Sequence, residues 1–539
     1  VKMRDALTVI TTMMAMGMSL ASAATIQVGP GRTYTTVAAG YNAASPGDTI
    51  EIDSGTYTGS AGWVNISKNN LTFRGVGPTR PVLDAAGGNL GDKGIFVVSA
   101  NILTVENLEF ENCAGPSGND AGIRYQPPSS PASLTVRNCY FHDNQNGILG
   151  GTTTSDVTLE NSEFNHNGYG DGQTHNMYIT ANVFTLRHCY VHNAVVGHEV
   201  KTRGLTNYIL YNRIGNEGGN ASYEIDVPQG GTTYIIGNQV EQGPYTQNST
   251  IITYKEESPT NPDLHLYVVN NTIVNDRGSG TFVRVAAGTA LLQNNIFQGG
   301  GTVLNGSATQ VSNFVGNAAL ANIGIYDYHL TAASTNCIDK GTVPSPSTGI
   351  DGFSLIPVDQ YVHPCSYQSR PASGTIDIGA YEYFVNHPPT VDAGADQTAY
   401  EGQTVHLHAT ASDPDSDPLT YAWTQTGGLT VVLSGANTAD ASFTAPAVST
   451  VAQAGMTFQV TVNDGRGGTA NDSVNVRVYL AGDATQNDVV DMSDLLAVAA
   501  AWASGAGDPR YNPLCDFNGD DSVDAADLLL LADNWAKAL

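Results

Sequence analysis

Between residues 105 and 294 one short phrase recurs eight times: Val105-Glu106-Asn107, Val136-Arg137-Asn138, Leu159-Glu160-Asn161, Leu186-Arg187-His188, Leu210-Tyr211-Asn212, Ile236-Gly237-Asn238, Val269-Asn270-Asn271 and Leu292-Gln293-Asn294. The intervals are 31, 23, 27, 24, 26, 33 and 23 residues, and each phrase is followed two or three places on by an apolar residue. A second phrase runs between them, in Gly94-Ile95-Phe96-Val97, Gly122-Ile123-Arg124-Tyr125, Gly147-Ile148-Leu149-Gly150 and Asn176-Met177-Tyr178-Ile179. Both read as short alternating strands. A unit of this length cannot bury its apolar face alone and must stack on copies of itself. Leucine-rich repeats would show a strict leucine ladder and helices, and a propeller blade would need about twice the length. A right-handed parallel β-helix remains, its coils stacked at about 4.8 Å. The recurring Asn then forms an internal ladder at a turn that tolerates the left-handed conformation, and it carries no chemistry.

The flanks of the repeat fit this reading. Pro30-Gly31-Arg32-Thr33-Tyr34 through Gly47-Asp48-Thr49-Ile50, Asn70-Leu71-Thr72-Phe73-Arg74-Gly75 and Asp377-Ile378-Gly379-Ala380-Tyr381-Glu382 resemble the opening and closing segments of the pectate-lyase-like superfamily. The resemblance implies a β-helix over residues 25–385. It implies little about activity, because lyases, hydrolases, epimerases and non-enzymes share that fold.

Charge narrows the function classes. The 539 residues carry 50 acids against 22 bases, a net of -28. That excludes the basic surface of a nucleic-acid binder. Residues 1–386 hold 30 acids and 18 bases, residues 387–480 hold 9 and 2, and residues 481–539 hold 11 and 2. Lys2 and Arg4, an apolar run from Ala6 to Ala21 and the small residues Ala21-Ser22-Ala23 read as a signal peptide over residues 1–24, hence a secreted or cell-surface protein. No second stretch is long and apolar enough for a membrane span. Six cysteines do not make a disulfide scaffold in so long a chain. Cys139 and Cys189 read as apolar fillers, and a Cys337–Cys365 bridge is left open.

Two modules follow. Residues 386–480, after the linker His387-Pro388-Pro389, alternate as strands at Val405–Ala409 and Phe458–Val462, with turns at Asp413-Pro414-Asp415 and Asn463-Asp464-Gly465 and an apolar aromatic, Trp423. They resemble the PKD or cadherin-like modules of immunoglobulin fold, which implies a spacer or a glycan binder. In residues 481–539, Asp483, Thr485, Asn487, Asp491 and Asp494 stand at positions 1, 3, 5, 9 and 12 of a loop, and Asp516, Asn518, Asp520, Asp524 and Asp527 repeat the pattern 33 residues later. That spacing presents oxygens to Ca²⁺. Each loop leads into a helical pattern, Leu495–Trp502 and Leu528–Trp535. The duplication resembles a type I dockerin, which implies two bound Ca²⁺ ions and a cohesin-like partner. Asp488 and Asp521 replace the usual Gly at loop position 6, so strain is expected there. The whole chain thus reads as mainly β: a right-handed parallel β-helix, an immunoglobulin-like β-sandwich and a small α-helical calcium-binding dockerin-like domain.

Ligands of a β-helix lie along the outer face of one parallel sheet. Aligning three strands with Met177/His198/Tyr223 and Ile179/Val200/Ile225 inside puts Tyr178/Glu199/Glu224 and Thr180/Lys201/Asp226 outside. Thr253, Lys255 and Arg284 continue the surface, and Arg124 joins it from an earlier coil. Scarce bases among carboxylates fit either a salt-bridge ladder or a groove for an anionic polysaccharide. The chemistry of such a groove would be β-elimination from a uronate, whose C5 proton is weakly acidic until a cation neutralises the adjacent carboxylate. Lys201 is then the base, Arg203 the neutraliser or proton donor, and Tyr178 and His175 reserve acid/base groups. Arg284, Lys255 and Arg124 bind substrate, and Glu199, Glu224 and Asp226 could hold a third Ca²⁺. Glu199-Val200-Lys201-Thr202, followed by Asn207 and Asn212, is similar to the stretch carrying the catalytic Lys in alginate and chondroitin lyases of this fold. The alternatives are a non-catalytic glycan-binding or adhesin β-helix, or a β-helix glycoside hydrolase, although the Asn-Thr-Asp and Gly-Asp-Asp pieces of polygalacturonases are absent from the β-helix.

Overall fold

The computed structural model describes residues 23–345 and 350–539; the expected leader falls almost wholly outside them. The chain divides into two compact units, one ending at Phe384 and one running from Val385 to Leu539.

The first unit is three long parallel sheets. Sheet I has 12 strands, from Thr25–Val28 to Thr309–Val311; sheet II has 10, from Val64–Ile66 to Thr302–Asn305; sheet III has 11, from Thr56–Thr58 to Phe314–Val315. Each complete coil contributes one strand to each sheet. Alternation along the strands sends Leu103, Leu134, Val157 and Phe184 inward on sheet I, and Phe110, Phe141 and Phe164 inward on sheet III. Those three rings stack at 4.8 and 5.0 Å, the coil spacing itself. The helix Val37–Ala43, N-capped by Thr36, closes the first coil.

The asparagine ladder exists, but the repeated phrase straddles two adjacent columns. Asn107, Asn138, Asn161, His188, Tyr211, Asn270 and Asn294 hold φ between 48 and 56° at the turn from sheet I to sheet III. The interior ladder is the next residue along. Asn212 donates to Asn238, Asn238 to Asn271, Asn271 to Asn295 and Asn295 to Asn313, at 3.0, 3.0, 3.0 and 2.9 Å. In earlier coils the same position holds Leu108, Cys139, Ser162 and Cys189, so Cys139 and Cys189 are buried fillers as expected. A second ladder runs at the turn from sheet III to sheet II, through Asn144, Asn167 and Asn176. All six thiols are free, so Cys337 and Cys365 are not bridged.

After its last coil the chain folds back over the β-helix. Tyr328, Cys337, Ile378 and Tyr381 pack on Val274 and Ile296. Asp351 accepts hydrogen bonds from Tyr208 and Tyr234, whose rings stack on the outer face of sheet I.

The second unit opens with a β-sandwich whose main sheet orders Gln397–Tyr400, Thr469–Tyr479, Gly455–Asn463 and Thr420–Gly427. Trp423 is buried in it. The helices Met492–Ala501 and Ala525–Asp533 follow; they start three residues earlier than the apolar pattern because Asp491/Asp494 and Asp524/Asp527 form capping boxes. Tyr400 Oη donates to the carbonyls of Asp483 and Leu514, so sandwich and helices share one core.

Candidate functional site

One outward column of sheet II holds Arg124, Leu149, Tyr178, Lys201, Asp226, Thr253 and Arg284, each in register with the next. Six steps at about 4.8 Å make it about 29 Å long. Tyr178 faces Lys201, not Glu199, so the expected alignment is two residues out on that pair of strands. The column of Lys201 and Asp226 is as expected.

Lys201 Nζ lies 3.3 Å from Asp226 Oδ2 and 3.7 Å from Glu257 Oε1, with Tyr178 beneath it at 5.3 Å from ring centre. Arg203 lies over the same ring at 5.3 Å and pairs with Glu257. Thr253 Oγ1 donates to Asp226 at 2.7 Å. Burial raises the Asp226 carboxyl, and Lys201 opposes that rise. His198, expected inside, stacks on His175 at 4.6 Å with its Nε2 3.5 Å from Asp226. Burial and then the neighbouring charges keep both rings neutral: His198 falls to about 3, and His175 goes well below its ordinary value. His175 Nδ1 accepts the N–H of His198, and His198 Nδ1 that of Tyr223. The remaining proton of each neutral ring therefore sits on Nε2, which makes both of them donors.

Glu199 and Glu224 are not calcium ligands of the groove. Both are fully buried inside the coil. Glu199 precedes its strand, at a corner where strand alternation does not apply. There it ends the second ladder, accepting from Asn176 Nδ2 at 2.5 Å and from the N–H of Ala194 at 2.9 Å. Asp226 is left beside Lys201 without the other two, so the expected three-carboxylate cation site does not form.

Upstream the column opens into a cleft of about 420 Å³ that includes Arg124, Tyr178, Gly150 and Gly151. The glycines make the floor: a Cβ on Gly150 would stand 2.0 Å from Tyr125 O, and one on Gly151 2.0 Å from Thr180 O. Burial lowers the Arg124 guanidinium, opposed by Asp120. Arg124 Nε and Arg203 Nε are both buried with no partner among the described residues. Downstream, Arg284 pairs with Glu256, and Lys255 Nζ donates to the carbonyl of Glu257. Glu256, Glu257 and His198 are the neighbours that sequence reasoning missed; no local pattern marks them.

In the C-terminal module the first and twelfth carboxylates of each loop are held by loop N–H groups. Asp483 accepts from Asn487 and Asp488, and Asp494 from Thr485 and Asp491. Asp516 accepts from Gly519, Asp520 and Asp521, and Asp527 from Phe517, Asn518 and Asp524. Asp488 and Asp521 do adopt φ of 67 and 63°, which Asp tolerates better than most residues. Neither loop contains a Lys or Arg, so the donor set, with Thr485, Asn487, Asp491, Asn518, Asp520 and Asp524, fits an oxygen-seeking cation. Chelation with EGTA is expected to lower the melting temperature of this module, and calcium at about 100 times its Kd to restore about 2.7 kcal/mol. Calorimetry checks this; a transition indifferent to calcium would contradict the loops' role.

Comparisons with known proteins match each part of this architecture. Residues 54–240 match the right handed beta helix region family, residues 393–478 a PKD domain family, and residues 481–534 the dockerin type I domain. Chitinase A of Pseudoalteromonas piscicida is 44% identical over 80 residues, which are 15% of this chain and 9% of that protein. A solved structure of a nucleoside hydrolase-related hypothetical protein from Saccharophagus degradans, associated with carbohydrate metabolism, is 25% identical over 19% of this chain and 28% of that one, with a TM-score of 0.16. The chain thus spans well under a third of either protein. Type I dockerin domains bind calcium and imply a cohesin partner, and PKD and dockerin domains are typical of extracellular proteins. Among the described residues no helix is long and apolar enough to cross a membrane.

Proposed function

For a chain that carries a right-handed parallel β-helix, a PKD module and a type I dockerin, we propose a secreted polysaccharide lyase that cleaves a uronic-acid-containing polysaccharide by β-elimination. The coarser class, a carbohydrate-active enzyme or binding protein, follows from the domain make-up. The uronate rests on one observation: Arg124 and Arg203, on either side of Tyr178, each hold a buried Nε–H that no group among the described residues accepts. A carboxylate is the acceptor that suits two guanidinium groups.

In this reading the arginines neutralise the uronate carboxylate, which acidifies the C5 proton and stabilises the enolate-like transition state. Lys201 removes that proton as the neutral amine, its own proton having passed to Asp226, whose carboxyl burial raises and Thr253 holds in place. The Nε2–H of His175 and the Tyr178 hydroxyl supply donors to the leaving oxygen. Arginine takes the part that a groove Ca²⁺ was expected to play. The domain limits 25–385, 386–480 and 481–539 and the leader over residues 1–24 belong to the same proposal.

Incubation with alginate, pectate and glycosaminoglycans, read as absorbance near 235 nm from unsaturated ends, tests it. Lys201→Ala and Arg203→Ala are expected to lower kcat/KM about 10²–10⁴-fold. No signal from any polymer, or an unchanged rate in Lys201→Ala, would refute the lyase. Binding without cleavage would favour a glycan-binding β-helix, a reading supported by the two carboxylates that already pair with Lys201.

A further inference from the structure

A second cleft, of about 310 Å³, opens on the outer face of sheet III. Its floor is Arg213 and Gln239, in register on neighbouring strands. Its walls include Tyr326, His329, Tyr361 and His363 of the fold-back segment. The proposed reaction uses none of these residues.

Gln239 is 4% exposed, and its Oε1 meets no donor among the described residues. Leaving such an acceptor bare costs about 1–3 kcal/mol, so a donor entering the cleft would be favoured at that atom. The guanidinium beside it is already matched. Arg213 pairs with Glu217 and lies between the rings of Tyr190 and Tyr326, at 4.8 and 4.9 Å. Asp327 Oδ1 is hydrogen-bonded to His329 Nδ1 at 2.6 Å. Burial, and then Arg213, lower His363, leaving a neutral imidazole. Tyr326 holds φ 60 and ψ 28°, a left-handed conformation rare for a bulky residue. Ile325 beside it is 67% exposed, which keeps the mouth apolar.

Flat ring faces, a waiting amide acceptor, an imidazole and a guanidinium already paired describe a receptor for a polyhydroxylated ring. The volume lies at the small end of ligand pockets, about 300 Å³. We propose that this cleft binds one neutral pyranose unit of an oligosaccharide, with a hydroxyl donating to Gln239 Oε1 and the apolar face of the sugar on Tyr326. An anionic sugar would bring a charge to a guanidinium already engaged by Glu217. The site is separate from the sheet II column and does not depend on the lyase reading.

Isothermal titration of the full chain with cellotetraose, xylotetraose and mannotetraose tests it, with tetragalacturonate as the anionic control. At least one neutral tetrasaccharide is expected to bind, at least tenfold more weakly to Tyr326→Ala and Gln239→Leu and equally to Lys201→Ala. Tyr326→Ala removes a partly exposed ring, and thermal melts show whether Gln239→Leu is folded. The proposal is overturned if no neutral tetrasaccharide binds, if binding survives both cleft substitutions, or if Lys201→Ala abolishes it. It is also overturned if tetragalacturonate is the ligand that Tyr326→Ala removes. Loss of uronate cleavage in Lys201→Ala with the neutral sugar still bound would separate the two sites.

Discussion

Arg370→Ala is expected to destabilise the β-helix unit by about 3–5 kcal/mol, the cost of stranding one member of a buried ion pair. Arg370 and Glu382 are 4% and 3% exposed and lie 2.9 Å apart. The same guanidinium donates to the carbonyls of Asp377, Gly379 and Ala380. It therefore fastens the final stretch of the fold-back segment. Without it the Glu382 carboxyl, which burial already pushes up against the pull of Arg370, loses its counter-charge. Arg370→Lys should recover little, because an ammonium cannot reach four acceptors with one planar fork. Urea unfolding checks this, and the double variant with Glu382→Ala should lose less than the two single changes added together. A midpoint unmoved by Arg370→Ala would mean that the segment contributes nothing to holding the unit together.

Glu199 carries the second large effect. Burial raises its carboxyl from 4.5 to about 8, despite hydrogen bonds from Ala194 and Asn176 that pull the other way. An acid raised by folding holds its proton more tightly in the folded chain. Its stabilisation is complete below about pH 4.5, declines as pH climbs toward 8, and changes no further above that. Within that window one such group contributes a slope of about 1.4 kcal/mol per pH unit. Glu224 and Glu241 are raised by burial too, so their contributions have the same sign. Thermal melts of the chain should therefore fall between pH 5 and 8, and Glu199→Gln, which fixes the neutral form, should flatten that fall. Glu199→Ala should instead cost about 1–3 kcal/mol for each buried donor left bare. Stability rising across the window, with Glu199→Gln making no difference, would show that Glu199 is ionised inside the coil.

The coil architecture was legible because its signal is periodic, and the calcium loops because all their donors fall within twelve residues. The candidate site was harder to read. Asn107 and Asn212 look like the same repeated letter, yet one makes the left-handed turn and the other faces the interior; only backbone conformation separates them. Glu199 shares the parity of Lys201 but lies outside the strand, so alternation misplaces it. The same two-residue slip puts His198 opposite Met177. Glu257 reaches Arg203 across 54 residues, and Tyr326 reaches Arg213 across more than a hundred. Both contacts depend on how loops fold over the coils, which no spacing in the chain reveals.

The two asparagine ladders stand at different corners of the β-helix, and they change over in one coil. The ladder through Asn144, Asn167 and Asn176 ends on Glu199, two residues before Lys201. The ladder that runs on to Asn313 begins at Asn212, where it receives the N–H of Cys189. Like reinforcing bars lapped at a joint, they overlap in the turn of chain that bears Lys201 and Arg203. That turn is braced at both bends. A side chain mounted there starts from a firmly held backbone, so little ordering is left for a ligand to impose.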